Sequence, residues 1–166
     1  SADLFTMLGA EALIGRTFNT SHGAAGNHQV VVLSHGLWQR RFGADRNIVG
    51  QTLTLEGEPH TVLGVMPPGF DFPPFWANDR EIWTPLVFDT GDSPMGESTN
   101  RGAQYLRVFG RLASGANVPQ ARAEMETIGH GLATEYPEAN EGLGISVESL
   151  REPVISEVRP ALLVLQ

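Results

Sequence analysis

Val30-Val31-Val32-Leu33 sets four apolar residues in succession, three of them β-branched, with no polar side chain to offer to water. Such a run reads as a buried strand. Ser34 follows as a helix N-cap. Leu37, Trp38 and Phe42 then share one side of a short helix, and Gly43 ends it. Arg40 and Arg41 fall in its last turn. An arginine pair is a candidate anion site, but a solvated helix C-terminus that favours cations is the simpler reading.

Around this strand the pattern changes to period two. Thr52-Leu53-Thr54-Leu55-Glu56 alternates, Gly57-Glu58-Pro59 turns, and His60 to Met66 returns. The spacing predicts a β-hairpin with Leu53, Leu55 and Val62 on its buried face. Residues 1–20 read as an element around Leu4, Phe5, Met7 and Leu8, a turn at Gly9, then Leu13 to Phe18. Residues 19–29 read as a loop; its Asn19-Thr20-Ser21 sequon is a pattern common by chance. Residues 70–83 gather Phe70, Phe72, Phe75, Trp76 and Trp83. Phe70 and Trp83 are expected in the core. Phe75 and Trp76 fit either an exposed contact surface or a core under the loop.

Residues 82–88 are expected to form a strand, and 89–104 a loop. Tyr105 to Leu112 alternates and predicts another strand. Asn117 caps a helix with Pro119 in its first turn and Gln120 at capping-box spacing. Ala121, Met125, Ile128, Leu132 and Tyr136 form its apolar stripe, and Pro137 stops it. Gly129 and Gly131 weaken this helix and suit close packing on a sheet. Ile145 to Leu150 alternates as a last strand. The order predicts an α+β fold with a βαβ-like unit over about 105–150. Nineteen glycines and eleven prolines agree with short elements and many turns.

Charge removes several functions. The chain has 11 basic and 19 acidic residues, a net charge of −8, and every basic residue is Arg. An acidic chain without a basic cluster argues against nucleic acid and anionic lipid as partners. Without lysine there is no Walker A lysine and no Schiff base. Without cysteine there is no thiol nucleophile, disulfide or zinc ribbon.

The remaining chemistry is thin. Asp89-Thr90-Gly91-Asp92-Ser93 resembles the opening of Gly-Asp-Ser esterases, which would make Ser93 a nucleophile. Those enzymes place Asp-x-x-His near the C-terminus, whereas here Thr127 stands where His130 would need its aspartate. His22, His28, His35, His60 and His130 show no i, i+4 pair. His22 and His28 share a loop and could chelate, but a solvated loop is the simpler reading. Glu124 and Glu126 do not face each other on a helix, and with Glu135, Glu138 and Glu141 they read as a solvated face. Gly142-Leu143-Gly144 lacks the third glycine of a dinucleotide loop. No catalytic, cofactor-binding or metal residues are assigned. No secretory leader is visible at Ser1, and no stretch reaches the roughly 18 apolar residues of a membrane span. Val158 to Gln166 is a rising apolar run that reads as the start of a hydrophobic helix.

Four stretches taken together carry a family resemblance. They are Leu8-Gly9 with Leu13-Ile14-Gly15-Arg16-Thr17-Phe18; Val30 to Gly43 continuing through Ile48-Val49-Gly50-Gln51-Thr52-Leu53 to Gly64-Val65-Met66-Pro67-Pro68-Gly69-Phe70; Tyr105-Leu106-Arg107-Val108 with Arg111-Leu112 and the Ala121–Pro137 helix; and Val158 to Leu163. The chain resembles the MacB-like periplasmic core domain of ABC-transporter permeases (the MacB/FtsX/LolC superfamily), most of all the orphan permeases of acidobacteria. The resemblance implies two intertwined subdomains. Residues 1–25 and 96–155 would form a porter-like βαβ part, residues 26–95 an inserted, mainly-β sabre-like part with a short helix, and 156–166 the start of a stalk and second membrane helix.

It also implies a non-catalytic domain on the periplasmic face of a bacterial inner membrane, moved by membrane helices and, indirectly, by a cytoplasmic ABC ATPase, with a second copy of the domain as a further partner. No cofactor is implied. The lipoprotein-carrier hook of the LolC branch has no counterpart here. Two alternatives of other classes are a secreted hydrolase using Ser93 and a stand-alone binding module using the Phe70–Trp83 aromatics, with Phe75 and Trp76 as its surface.

Overall fold

In the computed structural model, residues 2–24, 26–70, 72, 80–87, 108–140 and 142–149 are described. The chain divides into two units, Ser1–Ser98 and Thr99–Gln166. The elements of the first are α1 (Leu4–Leu8), β1 (Ile14–Gly15), a 3-10 turn (Thr20–Gly23), β2 (Val30–Leu33), α2 (His35–Phe42), a second 3-10 turn (Arg46–Ile48), β3 (Thr52–Leu55), β4 (Glu58–Val65) and β5 (Ile82–Trp83).

β4 is the axis of a mixed sheet. Parallel β2 lies on one of its edges, pairing Val31 with Val62 and Leu33 with Val65. The other edge is divided lengthwise: β3 takes the first half in the expected hairpin, Thr52 opposite Thr61 and Leu55 opposite Glu58, and β1 takes the second, Gly15 opposite Gly64. β5 runs antiparallel to β2, with Val32 opposite Trp83. The expected strand over 82–88 stops at Trp83. Pro85 follows two residues on, and proline has no N–H to give a ladder.

The pairing of β2 with β4 slips by one residue: Val31 faces Val62, but Val32 faces Gly64. Leu63 is therefore an extra residue, a β-bulge. It reverses the alternation, so that Val62 and Val65, three apart, face the same side. Val31, Leu33, Val62 and Val65 pack there with Trp38 and Ile48. Val32, Leu63, Met66 and Trp83 form the opposite core with Phe5 and Phe18. β2 is thus covered on both faces, as its unbroken apolar run requires.

The cover on the first side is α2. Ser34 Oγ accepts from the Leu37 N–H at 3.1 Å, and Gly43 closes the helix at φ 59°. The Trp38 indole N–H donates to the Asp45 carbonyl at 2.8 Å, so the ring is buried with its polar atom satisfied. The cover on the second side comes from residues 2–18 and from Phe70. Phe5 and Phe18 are fully buried, and each such ring contributes about 1.5–3 kcal/mol.

In the second unit, α3 (Val118–Glu135) starts with the expected capping box. Asn117 Oδ1 accepts from the Gln120 N–H, and Gln120 Oε1 accepts from the Asn117 N–H, both at 3.0 Å. Pro137 begins a short α4 (Pro137–Asn140). None of residues 108–140 and 142–149 is buried; the α3 stripe is half-covered, with Ile128 48% exposed.

The strands expected at 105–112 and 145–150 are not found at 108–112 or 145–149; Tyr105–Arg107 and Leu150 lie outside the described residues. A strand needs a hydrogen-bonded neighbour, and residues 142–149 instead lie along α3. There Arg122 Nη2 donates to the Val147 carbonyl at 3.0 Å, and Gly129 packs against Ile145 rather than a sheet. The period-two signal survives only as exposure: 145, 147 and 149 are half-buried, 146 and 148 exposed.

Two substitutions test this account. A Cβ on Gly64 would sit 2.6 Å from both the Ile14 and Arg16 carbonyl oxygens. Gly64→Ala is expected to force β1 off β4 and lower stability by about 1–3 kcal/mol, read from the urea midpoint. The β3–β4 turn holds Glu56 at φ 53° and Gly57 at φ 90°, a geometry that favours Asn-Gly. Glu56→Asn is expected to raise stability by about 1 kcal/mol in the same assay.

Candidate functional site

The best-organised polar group in the first unit surrounds His22. Its loop was expected to be solvated, but His22 is buried, 7% exposed, because it closes a capping box. Asn19 Oδ1 accepts from the Ser21 N–H at 3.2 Å and the Ser21 hydroxyl at 2.7 Å. The Asn19 N–H donates to His22 Nδ1 at 3.1 Å. Histidine here takes the place of the usual Glu or Gln. Nδ1 also lies 2.9 Å from Asn19 Oδ1, and Nε2 lies 3.5 Å from Arg16 Nη1. The ring thus has two neutral pairings: Nδ1 accepts from the Asn19 N–H, or Nδ1–H donates to Asn19 Oδ1 while Nε2 accepts from Arg16. The sequon is absorbed into this cap.

Arg16 also borders an open cavity of about 490 Å³ between α1 and β1, lined by Phe5, Gly9, Glu11, Gly15, Arg16 and Thr17 among others. It offers one exposed guanidinium and one exposed carboxylate. That set can hold a small polar group, but it lacks a nucleophile paired with a base.

The other histidines are dispersed. His35 sets its ring edge-on to Trp38 with centroids 5.5 Å apart, and His60 Nδ1 lies 3.1 Å from the Glu58 carbonyl. His28 Nδ1 is buried without a hydrogen-bond partner. His130 is exposed on α3, and the Thr127 hydroxyl is occupied, donating to the Ala123 carbonyl at 3.0 Å. The described residues therefore give His130 no orienting carboxylate at that position. No group of three His, Asp or Glu among the described residues is placed to hold a metal. Glu124 and Glu126 are exposed on α3, as expected. Ser93, Phe75 and Trp76 lie outside the described residues, while Phe70 and Trp83 pack in the core as expected.

Sequence reasoning missed two pairings. Arg40 reaches from α2 to an ion pair with Glu81, just before β5, and the Ser34 N–H donates to the Glu81 carbonyl at 2.7 Å. The Arg40 side chain is 66% exposed, so this bridge orients more than it stabilises. The Asn19–His22 cap had a signal in Asn-x-x-His spacing, obscured because histidine is an uncommon third residue of that motif. Asn19→Ala removes the acceptor for Ser21 and the support of His22. A loss of about 1 kcal/mol in thermal or urea unfolding is expected.

Among the described residues, no helix is long and apolar enough to cross a membrane. No curated protein matches the chain. Its fold is similar to the crystal structure of the periplasmic region of MacB from Actinobacillus actinomycetemcomitans, at 16% sequence identity and a TM-score of 0.51. The match covers 84% of this chain and 56% of that one, so the chain spans little more than half of that region. A family model described as the MacB-like periplasmic core domain matches residues 1–128. With the match running from α1 into α3, the chain belongs to the MacB-like periplasmic core domain family.

Proposed function

We propose that this chain is the extracytoplasmic part of an ABC-transporter permease, and that it passes ATP-driven movement of membrane helices to a substrate or partner outside the membrane. The family match over residues 1–128 carries this reading. One physical observation supports it. The second unit leaves the apolar stripe of α3 half-uncovered and buries none of its described residues, as expected of a part that works against more protein.

On this reading the partners are the membrane helices of the parent permease, a cytoplasmic ATPase acting through them, and a second copy of the domain. The location is the periplasmic side of the inner membrane. Residues 96–155 would supply the porter-like part and 156–166 the start of a stalk. Residues 26–95 would supply the sabre-like part. Residues 1–25 would join residues 96–155 in the porter-like part, with Phe5 and Phe18 packed on Val32, Leu63 and Met66.

The parent reading frame tests the proposal. Apolar stretches of roughly 20 residues are expected on both sides of these 166. A secretory leader directly before Ser1, with a stop codon soon after Gln166, would remove the permease reading.

A further inference from the structure

We propose that the rings of Phe5, Phe18, Phe70 and Trp83 form a clamp that makes residues 2–18 and the aromatic flank at Phe70 and Trp83 move as one piece. The proposal rests on the reading of this domain as a transmitter of movement, and names the part of the first unit that carries it.

The two pieces come from distant parts of the sequence and meet over one face of the sheet. Phe5 is the hub. Its ring centroid is 4.9 Å from Phe18, 5.7 Å from Phe70 and 6.2 Å from Trp83, and Phe70 lies 5.4 Å from Trp83. The contacts to Phe18 and Trp83, and that between Phe70 and Trp83, are edge-on, a favoured aromatic geometry.

Neither piece is held strongly by its own backbone. α1 has five residues, too few for a helix to persist alone. β1 has two, and its flanks add the Leu13 N–H to the Val65 carbonyl at 2.8 Å and the Arg16 N–H to the Leu63 carbonyl at 3.0 Å. β5 also has two residues, and the Trp83 indole N–H donates to the Phe72 carbonyl at 3.3 Å. With such short ladders, packing of the rings fixes where both pieces sit.

Displacement of residues 2–18 therefore reaches the flank at Phe70 and Trp83 through the rings. The bonds joining Val62 to Gln51 and Gly50 are made by residues outside the ring cluster.

Amide hydrogen exchange on the 166-residue chain tests this. Phe70→Leu should speed exchange of the Leu13 and Arg16 amides roughly tenfold, although neither residue neighbours Phe70 in sequence. The Gly50 and Val62 amides, which donate to the Val62 and Gln51 carbonyls, should keep their rates. Phe18→Leu should in turn speed the Ser34 amide, which reports on its bond to Glu81. If Phe70→Leu does not fold, Trp83→Phe carries the same expectation for Leu13 and Arg16. Faster exchange confined to the mutated segment, or equal acceleration of every amide, would overturn the clamp. Either result leaves the permease reading to the parent reading frame, so the two fail separately.

Discussion

Burial of both faces of β2 is the constraint on which the first unit depends. Val31, Val32 and Leu33 have no exposed surface. A strand of that kind needs hydrogen-bonded neighbours on both edges and apolar cover above and below. β4 and β5 meet the first need. α2 with the Ile48 turn meets the second on one side, and the aromatic cluster around Phe5 meets it on the other. The bulge at Leu63 lets one eight-residue strand serve both cores, since it turns Val65 back to the side of Val62 while Leu63 joins the opposite core.

The two units show opposite physical regimes. In the first, long-range pairing and ring packing isolate a core from water. In the second, local chemistry is complete while burial is not. α3 is capped at Asn117, bounded by Pro137 and flanked by residues 142–149, yet its stripe from Ala121 to Tyr136 never becomes core. A helix is specified by short-range signals and forms on them; a sheet needs partners. That difference explains why α3 is present while the segments at 108–112 and 145–149, of equally regular alternation, are not strands.

The same difference governs what the sequence made legible. The β2 run, the Ser34 and Gly43 caps, the β3–β4 hairpin, the α3 capping box and the core roles of Phe70 and Trp83 all follow from local patterns, and each is found. What escaped was non-local. Nothing near Gly15 says that it will oppose Gly64, and nothing in Arg40 points to Glu81. His22 escaped for another reason: a polar loop composition conceals a side chain buried by its own cap. The family resemblance was readable because it rests on spacings in α1, β1, β2, the hairpin and α3 together.

The pairing of β1 with β4 has a consequence for which residues such a sequence can carry. Gly15 sits at φ 73°, where a Cβ would be 2.2 Å from the Leu63 carbonyl oxygen, and a Cβ on Gly64 would meet the Ile14 and Arg16 carbonyls. Each glycine is required by the backbone around the other, so replacing one does not make room for a side chain at its mate. Each site is therefore closed to a side chain by backbone that stays in place whatever residue stands at the other. The chain's freedom to diversify lies instead in surfaces such as the outer positions of β3, where Thr52 and Thr54 are exposed while their backbone pairs with β4.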